Sequence, residues 1–314
     1  MFAKIFNLFV VIFLSASILQ AQKPIEISFE QDEGTRAYTI FVTNHTYATH
    51  TVELSFDYLE NLKSSIELPY YWEVGNGKTE LMTLTPIDPT ASTDFKYKRK
   101  SRKGCSQLTE EKERLYQLPV DQDKVTQAVG FMDEATQDKN QEMSCYAIGM
   151  DVPVGEKIKA AKSGTVVEII DVNDPTADEQ NKSIRKILEI EHDDCTFGTY
   201  EIQLNSEFFP KAGDKIEVGQ EIGVINNKNQ TFFNDLVFSS YYTAYEEIVK
   251  NDDTTWKNYY KAYVPVVFDS KSFNEKLKEA FTGKPIKQMA APIMGKKFDA
   301  EEYKAKKKAE KKEK

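Results

Sequence analysis

Histidine is scarce in this chain: three residues, His45, His50 and His192, in 314. A hydrolytic metal centre draws mainly on His, Cys and carboxylates, so a His-rich site is excluded at the outset. His45 and His50 stand five residues apart with no carboxylate or Cys pattern around them, and they read as polar loop residues. Cysteine is equally sparse, with Cys105, Cys145 and Cys195 only. At most one intramolecular disulfide can form, and no Cys-x-x-Cys pair exists to suggest a zinc ribbon or a dithiol oxidoreductase. Cys145 as a nucleophile would need a histidine partner, and none can be placed beside it; a buried or bridged cysteine is the better reading. There is no Gly-x-Ser-x-Gly elbow and no phosphate-binding glycine loop. Net charge is −9, and despite a basic tail after Tyr303 this acidic balance argues against nucleic acid as the main partner.

What is present begins with a leader. Lys4 precedes the apolar run Ile5–Leu14, and small residues lead to Ala21-Gln22. This is the pattern of a secretory signal peptide over residues 1–21. A membrane anchor is the alternative, but the run is short for a span and no basic cluster follows it. The mature chain is expected to be exported, periplasmic or secreted, with no transmembrane segment. Oxidising surroundings would let a disulfide persist. Cys145 and Cys195 flank corresponding parts of one predicted β-domain and are the expected pair. Asn44, Asn181 and Asn229 head Asn-x-Ser/Thr triplets, a pattern frequent by chance.

Residues 22–97 alternate and are rich in β-branched positions, as in Tyr38–Val42 and Thr51–Phe56. Short strands at this spacing predict a β-sandwich of immunoglobulin-like type. Residues 98–115, with Lys98-Arg99-Lys100 and Arg102-Lys103, read as a charged linker. Residues 116–285 form a second domain, in which Asp133–Glu142 and Asn173–Ser183 read as polar loops. Ile187–Glu191 and Thr199–Leu204 are expected strands, and His192–Thr196 a turn between them. Tyr245–Lys250 suggests a helix, Tyr263–Phe268 a strand, and Phe273–Phe281 a short amphipathic helix ending at Gly283. Residues 286–314 are a Lys-rich tail, and no internal repeat is present. The fold class expected is therefore mostly β, in two units.

The second domain is organised around Cys145–Val167, Cys-Tyr-Ala-Ile-Gly-Met-Asp-Val-Pro-Val-Gly-Glu-Lys-Ile-Lys-Ala-Ala-Lys-Ser-Gly-Thr-Val-Val. It resembles the opening of the lysostaphin-type zinc endopeptidases, which cut peptide crosslinks in bacterial cell walls. Their pattern runs Tyr-Ala-Leu-Asp-Phe-x-Met-Pro-x-Gly-Thr-x-Ile-x-Ala-Ala-x-x-Gly-x-Val-Val. A later segment containing Gly213-Asp214-Lys215-Ile216-Glu217-Val218-Gly219-Gln220-Glu221-Ile222-Gly223 is similar to the family's Gly-Asp-x-Val-x-x-Gly-Gln-x-Ile-Gly. The resemblance covers about Tyr116 to Tyr242 and implies a lysostaphin-like antiparallel β-domain.

The family's chemistry does not carry across. Its zinc-binding Asp falls on Gly149. Its closing Gly-Pro-His-Leu-His-Phe falls on Phe233-Asn234-Asp235-Leu236-Val237-Phe238, so the two histidines become Asp235 and Val237. The strand His before a Leu becomes Gln203 before Leu204, and no upstream His lies in Asp138–Cys145. Asp151 shares the strand face of Gly149 but matches a non-ligand position. Cys145, Asp151, Gln203 and Asp235 remain as possible groove residues, and no metal or other cofactor is expected. The resemblance thus implies an inactive homologue that binds cell-wall peptide or a partner hydrolase. The alternatives are a residual metalloendopeptidase with an atypical metal site, or a structural envelope protein.

Overall fold

The computed structural model describes residues 23–106, 115–131, 147–172, 185–203, 205–226, 234–249 and 255–282. The leader, the Lys-rich tail, Cys145, both expected loops, Asn181 and Asn229 lie outside the described residues. The described chain is mostly β, built from antiparallel sheets.

The first unit has seven strands: β1 (Ile25–Gln31), β2 (Tyr38–Asn44), β3 (His50–Glu60), β4 (Leu62–Ser64), β5 (Tyr70–Val74), β6 (Gly77–Pro86) and β7 (Asp94–Lys103). They form a four-stranded sheet, β1-β2-β6-β4, and a three-stranded one, β5-β3-β7. Alternate residues of both sheets point inward and share one core, including Ile40, Val42, Val52, Leu54, Met82 and Leu84. That alternation is what a two-layer sandwich needs. The four-plus-three split fits the immunoglobulin-like count. The second sheet departs from that topology, because its seventh strand lies beside the third rather than beside a sixth.

β7 corrects the expected linker. Residues 98–103 are strand, pairing with β3 from Thr51↔Arg102 to Glu60↔Asp94. Its charges misled because β7 is an edge strand whose outward row is lysine. Lys100 meets Glu53 at 3.7 Å and Lys96 meets Asp57 at 3.6 Å, with Lys98 also on Asp57. Lysine on an edge strand discourages pairing with another chain, so a charged run here is a strand's guarded outer face.

The second unit enters through β8 (Leu115–Tyr116), a 3-10 turn (Gln122–Lys124) and β9 (Gln127–Phe131). Next come β10 (Ala147–Asp151), β11 (Lys157–Lys159), β12 (Gly164–Val172), β13 (Arg185–Glu191) and β14 (Phe197–Gln203). β15 (Glu207–Phe208), β16 (Lys215–Ile216) and β17 (Glu221–Val224) are short, whereas β18 (Leu236–Val249) and β19 (Thr255–Val264) are long. β20 (Val267–Phe268) and α1 (Lys271–Thr282) close the described chain. The main sheet runs β16-β12-β13-β14-β18-β10-β9, with β19 added along β18. A small sheet, β11-β17-β15, packs on its inner face, and β20 pairs in parallel with β8. Ile148, Met150, Leu188, Tyr200, Leu236 and Phe238 point from the main sheet into this core.

The expected helix over 245–250 is replaced by the continuation of β18 to Val249. Residue for residue, Ser240–Val249 registers against Thr255–Val264 of β19. Tyr241, Tyr242, Thr243 and Tyr245 open this run and Ile248 and Val249 close it, and their strand preference wins once a partner strand is available.

The two units are joined side by side. Cys105, two residues past β7, is bonded to Cys195 in the β13–β14 turn, with Cα atoms 5.8 Å apart. This corrects the expected Cys145–Cys195 bridge. The separation lies within the disulfide range, and the partner is chosen by where β7 ends, which chain order within one domain does not reveal. Around the bridge, the Thr49 amide donates to Glu191 Oε2 at 2.8 Å. Ala48 packs with Val167, Phe197 and Tyr241. Lys103 Nζ reaches Glu168 Oε1 at 2.6 Å and the buried Glu189, whose other oxygen accepts the Tyr241 hydroxyl at 2.5 Å. Burial works against the Lys103 charge, but Glu189 and Glu168 outweigh it and hold its pKa above the ordinary lysine value.

Asn44 is buried, and its Nδ2 donates to Ala48 O at 2.8 Å and Val74 O at 3.0 Å. A side chain so engaged is a structural clamp, which removes Asn44 from the potential glycosylation positions.

Candidate functional site

Strand pairing brings most of the candidate residues onto one face of the main sheet. Gly149 of β10 registers opposite Val237 of β18, and Val237 opposite Glu201 of β14. Residues directly opposite one another point to the same side. Asp151, two further along β10, shares that outward face, as do Asp235, two before Val237, and Gln203, two after Glu201. Strand register thus places Asp151, Gln203 and Asp235 on one face of the sheet. Cys145, the fourth groove candidate, lies outside the described residues.

What these residues do there is structural. Asp235 is 7% exposed, and its Oδ2 accepts the Val152 amide at 2.9 Å. Asp151 Oδ1 accepts Asn234 Nδ2 at 3.0 Å. Val237 is buried and apolar. Glu201, also buried, is paired with Arg185 Nη1 at 2.8 Å. Burial pushes the Glu201 carboxyl above the ordinary range, with the Arg185 guanidinium opposing.

The family resemblance implies a zinc ion at this face, and the residues present do not fit one. Gly149 offers no donor, and the space above its Cα is filled by Asn234, whose carboxamide oxygen a Cβ at 149 would overlap. Val237 offers no donor either. Among the described residues, no group of three or more His, Cys, Asp or Glu side chains is placed to hold a metal. Zinc needs three protein ligands and an open position to activate water, and the described residues of this face do not supply three.

His192 is explained as a turn residue. It is 2% exposed, and its Nδ1 lies 2.8 Å from Ser163 O, so that nitrogen carries the proton. Nε2 is buried without a hydrogen-bond partner. A Cβ at Gly198 would come within 2.6 Å of Nε2. Burial lowers the His192 pKa to about 4, against help from Ser163 and Asp194. The neighbouring Asp194 pairs with Lys162 at 2.7 Å and accepts the Thr196 hydroxyl at 2.6 Å. These bonds overcome its burial and hold its pKa below the ordinary value.

Three residues important to this face escaped the sequence reading: Asn234, Glu201 and Arg185. The available signal was paired. Asn234 stands where the family segment has Pro, and Gly149 where it has Asp, yet nothing in one sequence says that the two are neighbours.

No protein-family profile matches the chain, and no curated protein matches it. Among solved structures, similarity is found to Helicobacter pylori Csd3 in two crystal forms. The orthorhombic form gives 14% identity and a TM-score of 0.28, covering 78% of this chain and 55% of Csd3. The hexagonal form gives 12% identity and a TM-score of 0.27, covering 78% of this chain and 53% of the other. The chain therefore spans about half the length of those Csd3 structures. A protein described as a candidate M23 peptidase of Pseudomonas aeruginosa gives 11% identity and a TM-score of 0.26, covering 70% of this chain and 90% of that one. At these TM-scores the likeness carries no argument about this chain.

Proposed function

We propose that this chain is an exported, non-catalytic protein with a lysostaphin-like domain, which binds cell-wall peptide or a partner hydrolase in a bacterial envelope. The leader supports export, and the Cys145–Val167 and Gly213–Gly223 patterns support the domain. The observation that carries the loss of catalysis is the outward face of the main sheet. The two metal positions on it are Gly149 and Val237, and Asp235, where a catalytic His would stand, is already bound to the Val152 amide. A face with polar groups at its floor and no water-activating centre is suited to holding an extended chain without cutting it.

The test is metal analysis of the purified mature chain, Gln22 onward, with a cleavage assay on crosslinked peptidoglycan and a pull-down with cell-wall fragments. Retention on the fragments with no cleavage and no bound zinc is the expected result. Near-stoichiometric zinc with chelator-sensitive cleavage would overturn the reading. Absence of binding to either fragments or hydrolases would leave a structural envelope protein.

A further inference from the structure

Gly149 is not glycine for backbone reasons. It is absent from the positive-φ glycines, among which are Gly155 and Gly213. It lies mid-strand in β10, between Val129 of β9 and Val237 of β18, where a β-branched residue would otherwise be favoured. The reason is steric. A Cβ at 149 would overlap the Asn234 carboxamide and stand 2.9 Å from Asn234 Cβ. The obstacle is no loose side-chain end, because both Asn234 and its neighbour are tied to this strand. Asn234 Nδ2 donates to Asp151 Oδ1 at 3.0 Å, and Asp235 Oδ2 accepts the Val152 amide at 2.9 Å.

We propose that Asn234 is a built-in occupant of this face. Its carboxamide takes the volume that a side chain at 149 would need, so that Gly149 and Asn234 are coupled and the floor is closed to a cation. The packing part stands on the geometry alone. The cation part rests on reading residue 149 as a lost metal position. A consequence is that restoring ligands at 149 and 237 will not restore metal binding while Asn234 remains.

The first measurement is urea unfolding of the full mature chain as wild type, Gly149→Ala, Asn234→Gly and the double variant. Overpacking a closed site should make Gly149→Ala lower the folding equilibrium constant about tenfold or more. In the Asn234→Gly background the same change should cost less than about threefold, since the overlapping carboxamide is gone. Equal losses in both backgrounds overturn the coupling. If Gly149→Ala fails to fold, a folded double variant supports it and an unfolded one overturns it.

The second measurement is the thermal midpoint of Gly149→Asp/Glu201→His/Val237→His, which puts three ligands in one row across β10, β14 and β18, with and without Asn234→Gly, titrated with zinc. A zinc-dependent rise only when Asn234 is removed is expected. A rise with Asn234 in place overturns the cation-excluding role, as does no rise in either protein. Peptidoglycan binding is not read in either assay, so failure here is distinct from failure of the binding function.

Discussion

Replacing both Cys105 and Cys195 with serine tests the junction most directly. The bridge closes a loop of 90 residues. In the chain-entropy treatment, closing a loop of that length removes about 15 cal/mol/K from the unfolded ensemble, or about 4.6 kcal/mol at 25 °C. The native junction keeps its other ties in the variant. Lys103 still reaches Glu168 and Glu189, Thr49 still donates to Glu191, and Ala48 still packs on Phe197 and Tyr241. The folded state should therefore change little, and the loss should come mainly from the unfolded chain. Urea unfolding of the mature protein, read by tryptophan fluorescence and by far-ultraviolet circular dichroism, should show stability falling by about 3–5 kcal/mol. Peptide mapping under non-reducing conditions supplies the second arm, with Cys105 and Cys195 expected in one linked peptide. A loss under about 1 kcal/mol would refute the tethering argument, which predicts several times that. A linked peptide containing Cys145 and Cys195 would refute the junction itself.

Lys103→Met should be costly for a different reason, because it leaves Glu189, whose side chain is 5% exposed, beside Glu168 with only the Tyr241 hydroxyl and the more distant Lys261, at 4.0 Å, against its charge. Removing one partner of a buried pair typically costs about 3–5 kcal/mol, and a Lys103→Met/Glu189→Gln double variant should recover part of it in the same urea assay. Stability should also depend on His192. Its folded pKa of about 4 lies below the ordinary 6.5, so the unfolded chain binds the proton first. Above pH 6.5 the residue contributes no penalty. As pH falls from 6.5 towards 4, about 3 kcal/mol is lost, and below that the loss levels off. Glu191 and Glu201, both raised by burial, act in the opposite direction, whereas Asp194 acts in the same one. The comparison is therefore between the pH profiles of wild type and His192→Phe, whose difference should carry this slope; parallel profiles would contradict it.

Much of the second unit was readable because its inward positions repeat every two residues between turn glycines. Gly213 and Gly219, with φ of +94° and +77°, mark turns that glycine adopts without strain, and Ile187–Glu191 reads as strand from its own residues. Elsewhere the information was non-local. The lysines of β7 look like a solvated connector until Asp57 and Glu53 of β3 are seen opposite them. The run after Tyr242 looks helical until β19 lies beside it. The bridge from Cys105 depends on where an edge strand ends. The candidate positions Gly149, Gln203, Asp235 and Val237 were legible through the resemblance. The packing around them, with Asn234 over Gly149 and Arg185 on Glu201, was not, because each is a contact between segments distant in sequence.

The same period explains how a domain of this architecture can vary one row of residues while keeping its core. In β10, β14 and β18 one parity of residues faces the core: Ile148 and Met150, Tyr200 and Ile202, Leu236 and Phe238. The other parity faces outward: Gly149 and Asp151, Glu201 and Gln203, Asp235 and Val237. Burial of the first set contributes about 25 cal/mol for each Å² of apolar surface, and the second set, though Val237, Glu201 and Asp235 are buried too, packs outside that core. Substitutions confined to the second parity leave the inward core residues in place. They are not unconstrained, however. Glu201 is buried and needs Arg185, and Asn234 needs a residue without a side chain beneath it. Such paired dependencies make this row a packed surface in its own right, so a substitution at Gly149 or Glu201 is felt first through Asn234 or Arg185.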